Sequence, residues 1–325
     1  MKSYIVTQYG KPEDVVSLKE TEKPVPQEKQ VLIKVKAAPI NDYDWTATTG
    51  KPTSYRLLFG ISKPKKRFQK PGMEVAGVIE AIGAEVTSFK VGDAVYGDLS
   101  NHEFGSLSEY LCVNEKALAL KPEKMSFEEA ASIPHASMLA YEGLIDAGNI
   151  QPNQKILING AGGGMGTFAI QIAKTFNAKV TAVDSGPKEA MLRKEGADHF
   201  IDYQKEDFTK SGTKYDLILD PRTNRPPWKF LSSLKKGGRY VTVGGQSGKL
   251  IQILLLTGLI RLFTGKRVMI LGLSPNKYLD KINELYDQGI IRPVIDGPHP
   301  FAEVPRLIQY FGDARHQGKV VIAIP

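Results

Sequence analysis

Cysteine is nearly absent from this chain, with Cys112 the only one among 325 residues. A single thiol forms no intrachain disulfide, which indicates a reducing compartment. It also cannot supply the several thiolates of a cysteine-based zinc site. The histidines show no paired ligand spacing; they are His102, His135, His199, His299 and His316. The sequence therefore predicts no bound metal.

Long hydrophobic runs are also scarce. The N-terminal stretch MKSYIVTQYG lacks the apolar segment of a secretory signal. The longest apolar stretch, LIQILLLTGLIRLF at 250–263, is shorter than the roughly 20 residues of a membrane span and is interrupted by Arg261. We expect a cytoplasmic protein without a membrane span. Three interpretations of 250–263 stay open, namely a buried or dimer-facing helix, which we favour, a lid over a lipophilic substrate, and a membrane-surface contact.

Acidic residues are outnumbered, 35 to 43, which gives a net charge of +8. A basic chain attracts anions such as phosphorylated cofactors. The basic residues are mostly scattered, however, and no basic stripe interleaved with aromatic residues is present. Specific binding of nucleic acid is therefore not expected.

Strand and turn patterns divide the chain in two. Residues 1–124 contain short apolar runs such as VLIKVKAAPI, separated by Gly and Pro turns, which is typical of a barrel-type β domain. Strands and helices alternate over 125–289, and this pattern predicts a doubly wound parallel sheet. We expect 290–325 to return to the first domain and complete it. The predicted strands of the sheet are 155–160, 179–184, 199–203, 215–220, 238–245 and 266–273.

The strongest motif is the glycine-rich turn in KILINGAGGGMGTFAIQIAK, where a strand ends and a helix begins. Glycines let the backbone turn sharply and approach a pyrophosphate, and the helix N-terminus offers free N–H groups. The sequence thus predicts a dinucleotide site. Its predicted contacts are Gly160, Gly162, Gly163, Gly164, Met165 and Gly166.

The end of the next strand leaves the choice of dinucleotide open. Asp184 lies where a carboxylate would hold the ribose hydroxyls of NAD(H). Ser185 and Lys188 follow at once and could hold the 2′-phosphate of NADP(H). Taken alone, Asp184 slightly favours NAD(H).

Together, these motifs resemble the zinc-free quinone-oxidoreductase-like branch of the medium-chain dehydrogenase/reductase superfamily. The resemblance covers nearly the whole chain and is carried by PGMEVAGVIEAIGAEVTSFKVGDAVYG, SFEEAASIP, NGAGGGMGTFAIQIAK, SSLKKGGRYVTVGG and QGKVVI, among others. It implies a GroES-like catalytic domain and a Rossmann domain, with the active site in the cleft between them. It also favours NADP(H), through the Ser185–Lys188 spacing, and a possible homodimer.

The resemblance bears directly on metal and chemistry. The zinc alcohol dehydrogenases of this superfamily have His and Cys at positions occupied here by Met73 and Asn41. A thioether is a poor zinc ligand. Without a Lewis acid, hydrogen bonds must polarise the substrate, which suits hydride transfer to a quinone or to the C=C bond of an α,β-unsaturated carbonyl. We therefore expect a zinc-independent reductase of small lipophilic carbonyls or quinones.

Further site residues follow from the same resemblance. Asn41 and Asp44 match the family's N-x-x-D pattern, so Asn41 is expected to orient substrate or nicotinamide. Tyr43 and Tyr55 lie near in sequence and are candidate proton donors. The other expected cofactor contacts are Tyr203 near the adenosine, Gly244 and Gly245 at the sheet edge, and Lys319, for which a surface salt bridge is an equal alternative.

Two departures from the family support a competing hypothesis. Leu139 replaces a common Thr, and LDPRTNRPPWKF replaces the usual loop after the fourth Rossmann strand. These changes would also fit a non-catalytic NADP(H)-binding sensor or regulatory protein on the same fold.

Overall fold

The computed structural model describes all 325 residues and contains 15 strands and 11 α-helices. The strands are β1 (Lys2–Val6), β2 (Val16–Glu20), β3 (Gln30–Ile40), β4 (Glu74–Ile82), β5 (Ala94–Asp98), β6 (Tyr110–Asn114), β7 (Ala119–Leu120), β8 (Lys155–Asn159), β9 (Lys179–Asp184), β10 (His199–Asp202), β11 (Tyr215–Asp220), β12 (Leu234–Thr242), β13 (Arg267–Ile270), β14 (Ile295–Pro300) and β15 (Lys319–Ala323).

Most helices are short. They are α1 (Pro12–Val15), α2 (Asp42–Thr49), α3 (Arg56–Phe59), α4 (Phe127–Ser132), α5 (Pro134–Tyr141), α6 (Gly164–Lys174), α7 (Glu189–Lys194), α8 (Pro227–Leu231), α9 (Ser247–Thr264), α10 (Leu279–Asp287) and α11 (Val304–Gly312). Helix α4 begins with a capping box, in which Ser126 Oγ accepts from the Glu129 N–H at 3.1 Å and Glu129 Oε2 accepts from the Ser126 N–H at 2.9 Å.

Contacts divide these elements into two compact units. Unit 1 comprises 1–135, 275–279 and 295–325, and unit 2 comprises 136–274 and 280–294. Unit 1 runs past the predicted boundary at residue 124 because α4 packs against β3 and β4.

Unit 1 is built around a sheet with the strand order β14-β15-β3-β4-β5-β7, and β6 also pairs with β3. Strand β3 is buried along most of its length, as its Val, Ile and Ala content predicts. The C-terminal strands β14 and β15 belong to this sheet, with β15 paired to β3.

Unit 2 contains a six-stranded sheet in which every pairing is parallel, with the order β10-β9-β8-β11-β12-β13. This is the doubly wound order, with the first strand in the centre and the order reversing beside it. The fold predicted for this region is therefore confirmed. In a parallel sheet, the carboxyl ends of all strands lie at the same end of the sheet. The carboxyl ends of β8, β9 and β11 are therefore close together, and the polar site residues of unit 2 lie there.

Two segments differ from what their sequence patterns indicate. The run WKFLSSLKKG has a pattern typical of one helix, but it is helix only to Leu231 and enters β12 at Leu234. For the segment 250–263, the alternative of a buried helix is wrong, because Ile253 and Ile260 are the only buried residues of α9, whereas the alternative of a dimer-facing helix stays a prediction. Sequence periodicity identifies an apolar helix without showing what covers it.

Candidate active site

Strand register brings together a polar cluster at one end of the unit 1 sheet. Val320 of β15 pairs with Ile40 of β3, so Lys319 lies beside Asn41 although the two are 278 residues apart. Glu74, the first residue of β4, is paired with Asp98 of β5. All four side chains are buried.

Glu74 is the centre of this cluster. Its Oε2 accepts from Asn41 Nδ2 at 2.9 Å and forms an ion pair with the Lys319 ammonium. Its Oε1 accepts from the His135 N–H at 2.8 Å. Lys319 also donates to Asn41 Oδ1 at 2.6 Å. A closed ring of Asn41, Glu74 and Lys319 results, in which a buried charge is both paired and hydrogen-bonded.

Asn41 is therefore held rigidly, since both polar atoms of its amide are engaged. Lys319 is only 5% exposed, so the alternative of a surface salt bridge is wrong. It lies in unit 1 with Asn41, and its predicted cofactor contact remains a prediction. Met73 is fully buried beside Glu74 and packs in the interior.

Asp44 accepts hydrogen bonds from two backbone N–H groups next to the cluster. Its Oδ2 accepts from the Asn41 N–H at 2.8 Å, and its Oδ1 accepts from the Gly72 N–H at 2.6 Å. Burial raises the pKa of Asp44 to about 6, against the opposing effect of these two backbone hydrogen bonds. Asp44 thus fixes the start of α2 and the position of Asn41.

A second buried pair, which the sequence did not reveal, joins His135 to Asp98. His135 Nδ1 lies 2.8 Å from Asp98 Oδ2. Burial alone would lower the pKa of His135, but the charge and hydrogen bond of Asp98 outweigh it and raise that pKa above its usual value. Burial alone would raise the pKa of Asp98, but His135 and the Ser100 hydrogen bonds hold it below its usual value. Each member of the pair therefore favours the charged form of the other.

Both candidate proton donors lie in unit 1. The ring of Tyr43 stacks on Phe104, with centroids 5.8 Å apart, and meets the His135 ring edge-on at 6.3 Å. Tyr55 is half-buried in a short 3₁₀ turn. Burial, with a smaller contribution from the charge of Asp42, raises the pKa of both tyrosines. Both phenols consequently keep their protons at neutral pH.

The glycine-rich turn in unit 2 links β8 to α6, as predicted. Helix α6 begins after Gly163 and no side chain caps it, so its first N–H groups remain available to an anion. A Cβ on Gly162 would lie 2.4 Å from Lys188 Cδ and 3.0 Å from Asp184 Oδ2. This turn is therefore closed tightly over the end of β9.

Asp184 faces this turn. Its Oδ2 accepts from the Gly162 N–H at 2.7 Å, and its Oδ1 accepts from the Ser185 N–H at 2.9 Å. The Lys188 ammonium lies 3.3 Å from Oδ1, and both side chains of this pair are buried. The carboxylate is thus engaged by backbone donors and neutralised by a cation.

The remaining predicted cofactor contacts also lie in unit 2. The Tyr203 ring is half-exposed just beyond β10. Gly244 follows β12 in open space, whereas Gly245 has φ +119° and a Cβ there would lie 2.3 Å from the Arg222 carbonyl oxygen. Position 245 therefore requires glycine, because any side chain there would collide with the loop after β11.

That loop, unusual in sequence, is anchored by Asp220 at the end of β11. Asp220 Oδ1 accepts from Asn159 Nδ2 at 2.8 Å and from the N–H groups of Arg222 and Thr223, both at 2.9 Å. Its Oδ2 accepts from the Tyr240 hydroxyl at 2.8 Å. Burial raises the pKa of Asp220. The proline-rich loop is thereby tied to the carboxyl ends of β8 and β11.

Known proteins share both units. A family model described as alcohol dehydrogenase GroES-like domain matches residues 27–123, and one described as zinc-binding dehydrogenase matches 195–322. A 2-methylene-furan-3-one reductase of Solanum lycopersicum is 37% identical, covering 99% of this chain and 79% of its own. A chloroplastic NADPH-dependent alkenal/one oxidoreductase of Arabidopsis thaliana is 35% identical with the same coverage.

A solved structure of a related protein has the same fold over the whole chain. The quinone oxidoreductase from Coxiella burnetii has a TM-score of 0.84 and 26% identity, covering 100% of this chain and 99% of that one. The chain belongs to the medium-chain dehydrogenase/reductase superfamily. Its relatives place it in the quinone-oxidoreductase-like branch, so the predicted family and the predicted two-part fold are confirmed.

Within this superfamily, the unit 1 cluster does not fit zinc. An amide and a buried thioether stand at positions 41 and 73, and the Lys319 ammonium, which has no lone pair, is bound to Asn41 and Glu74. No group of three or more His, Cys, Asp or Glu side chains is placed to hold a metal. The turn at 160–166, in contrast, fits a nicotinamide dinucleotide, because it offers an uncapped helix N-terminus beside a neutralised Asp184.

Proposed function

We propose that this chain is a zinc-independent, NADPH-preferring reductase that transfers hydride to a quinone or to the C=C bond of a small, lipophilic α,β-unsaturated carbonyl. The activities named for the Solanum and Arabidopsis relatives support the reaction class. The observation that carries the zinc-independent part is the buried ring of Asn41, Glu74 and Lys319.

The cofactor residues are those of unit 2. Bound NADPH supplies the hydride. The first turn of α6 and the glycines 160–166 receive its pyrophosphate, and Tyr203 flanks the adenosine. Because Lys188 and two backbone N–H groups already engage Asp184, the carboxylate repels a 2′-phosphate less than a free one would. Ser185 and Lys188 then select NADPH over NADH.

The unit 1 cluster supplies electrostatic stabilisation. Negative charge develops on the substrate oxygen as hydride reaches the β-carbon, and fixed dipoles and cations stabilise it without reorganisation. Asn41 is fixed by Lys319 at one end of its amide and by Glu74 at the other. Lys319 and Glu74 therefore act as positioning residues, and Asn41 orients the substrate or the nicotinamide.

The final proton comes from a hydroxyl group or from water. The raised pKa values of Tyr43 and Tyr55 keep both phenols protonated, which suits an acid rather than a base. We place Tyr43 first because it stacks within the aromatic group beside His135. Tyr43→Phe should lower kcat at unchanged KM, while Tyr55→Phe serves as the matched control.

Steady-state assays test the reaction. Purified protein is offered NADPH or NADH with enones, quinones and simple alcohols, and its zinc content is measured. We expect turnover of enones or quinones with NADPH and little oxidation of alcohols. Faster turnover of ethanol-type substrates than of any enone contradicts the proposal, and tight NADPH binding without turnover of any acceptor favours the non-catalytic sensor.

Location and assembly complete the proposal. A cytoplasmic location rests on the sequence alone, since the Arabidopsis relative is described as chloroplastic. Strand β13 lies at one end of the unit 2 sheet order, and its unpaired edge could take a second copy in a homodimer. Sedimentation equilibrium measures that assembly.

A further inference from the structure

Helix α9 presents an uncovered apolar face. Leu254, Leu255 and Leu262 are 70%, 73% and 75% exposed, and the neighbouring Ile251, Leu259 and Phe263 are exposed as well. The spacing of 251, 255, 259 and 262 places these exposed side chains in one stripe along the helix. Exposed apolar side chains that adjoin one another, unlike single ones, mark an interaction surface.

The charge around this stripe identifies the partner. Residues 221–274 contain ten lysines and arginines and no aspartate or glutamate, although the whole chain has 35 acidic residues. This segment therefore carries a net positive charge without any acidic residue, although the basic residues of the rest of the chain are scattered. Arg225 and Lys235 are neutralised by Asp207 and Asp216.

The cations on α9 and just after it, unlike Arg225 and Lys235, are not neutralised by acidic residues. Lys249 and Arg261 on the helix, and Arg267 just beyond it, form no ion pair. A second copy of the same face would bring these cations against each other, because a twofold interface pairs identical surfaces. A membrane of anionic lipids has negatively charged headgroups over a hydrocarbon interior. It therefore matches both the cations and the apolar stripe of α9.

Helix α8 adds a third feature. It packs against α9 and carries Trp228, which is 61% exposed. Tryptophan prefers the boundary between lipid headgroups and hydrocarbon. An apolar stripe, cations and an exposed tryptophan thus occur together in one part of unit 2, on α8, α9 and the start of β13.

Topology decides how α9 meets the bilayer. Helix α9 is the one helix of the chain that is long and apolar enough to cross a membrane. It connects β12 to β13, however, and these are parallel neighbours in one sheet, with Thr242 paired to Ile270. Crossing would place its two ends on opposite sides of the bilayer and separate those strands. We propose that α9 lies flat on the surface of an anionic phospholipid membrane and docks the enzyme there.

Vesicle flotation tests this docking. Phosphatidylcholine vesicles are compared with vesicles that also contain about 30% phosphatidylglycerol, at low salt and at about 0.5 M salt. We expect binding to the anionic vesicles only, weakened at least about tenfold by high salt. Brominated lipid should quench fluorescence on binding, and Trp228→Phe should remove that quenching.

Variants separate the apolar and the charged contributions. Leu254→Ser, Leu255→Ser and Leu262→Ser combined should weaken binding at least about tenfold. Arg261→Gln with Arg267→Gln should weaken binding and reduce its salt dependence. The control variants remove exposed residues of unit 1, namely Leu18, Val25 and Leu120 to Ser, which are 42%, 83% and 57% exposed, or Lys11 and Lys19 to Gln, and should bind like the wild type. All these side chains are at the surface, so turnover of a short, water-soluble enone should be unchanged.

Three results overturn the proposal. One is equal binding to neutral and anionic vesicles. Another is absence of vesicle binding together with a dimer that the triple Ser variant dissociates, which would assign the face to a second copy. The third is absence of vesicle binding together with a KM that the triple variant raises for long-chain enones but not for short ones, which would make α9 a substrate lid.

Discussion

Removing the Lys319 ammonium tests whether the buried ring holds unit 1 together. In Lys319→Met, Glu74 stays buried but loses its charged partner, and such uncompensated charges cost about 3–5 kcal/mol. Glu74 still receives hydrogen bonds from Asn41 Nδ2 and the His135 N–H. We therefore expect a loss near the lower end, about 3 kcal/mol.

The matched double variant, Lys319→Met with Glu74→Gln, removes both charges. The single amide oxygen can accept from the His135 N–H, and the amide NH2 then faces Asn41, whose own amide can turn to accept from it because Lys319 no longer donates to Asn41 Oδ1. The double variant should cost only about 0.5–1.5 kcal/mol relative to wild type, the contribution of one neutral hydrogen bond. Glu74→Gln alone leaves the ammonium without its carboxylate and should cost more than the double variant. The cycle should thus show a coupling of at least about 2 kcal/mol.

The two tryptophans make the assay specific to unit 1. Trp45 packs against the unit 1 core, whereas Trp228 is exposed in unit 2. In a Trp228→Phe background, urea unfolding followed by Trp45 fluorescence reports unit 1 alone. A Lys319→Met loss below about 1 kcal/mol, or no rescue by Glu74→Gln, would refute the role given to the ring.

Three further predictions use the same background or simple binding assays. Ser185→Ala should weaken NADPH binding about tenfold and leave NADH unchanged, because a hydroxyl bond to a charged group contributes about 1.5–3 kcal/mol; equal losses for both cofactors would contradict it. Because the pKa of His135 is raised in the folded state, its contribution to stability is fully present below pH 6.5 and is lost as the pH rises through the folded pKa. Because the pKa of Asp98 is lowered in the folded state, its contribution is fully present above pH 3.8 and is lost as the pH falls through the folded pKa. His135→Asn should therefore flatten the stability of unit 1 above pH 6.5, and an unchanged slope would argue against the ion pair. Ser126→Ala should cost about 1 kcal/mol through loss of the cap, with exposed Ser17→Ala as the neutral control.

Sequence patterns predicted the Rossmann part closely because its signals are local. Each strand of the parallel sheet is a short apolar run between turns, so five of the six predicted strands overlap the observed ones within a few residues. The sixth, β12, begins four residues earlier than predicted. There Leu234 and two lysines follow a short helix without the Gly or Pro that would have marked its end.

The unit 1 cluster could not be found in this way. Glu74 and Lys319 are 245 residues apart, and only the pairing of β15 with β3 and of β3 with β4 brings them together. His135 showed no ligand spacing, and its partner Asp98 lies on a different element. A local signal did exist for Asn41 and Asp44, whose spacing places both at the start of α2.

The most direct test of the central claim follows the hydride and the metal in one experiment. NADPH deuterated at C4 is reacted with an enone, the product is examined by NMR, and the metal content of the same enzyme is measured before and after chelation. We predict deuterium at the β-carbon, negligible zinc, and a rate unchanged by the chelator. Loss of activity on chelation that zinc restores, or a product without deuterium, would contradict the account.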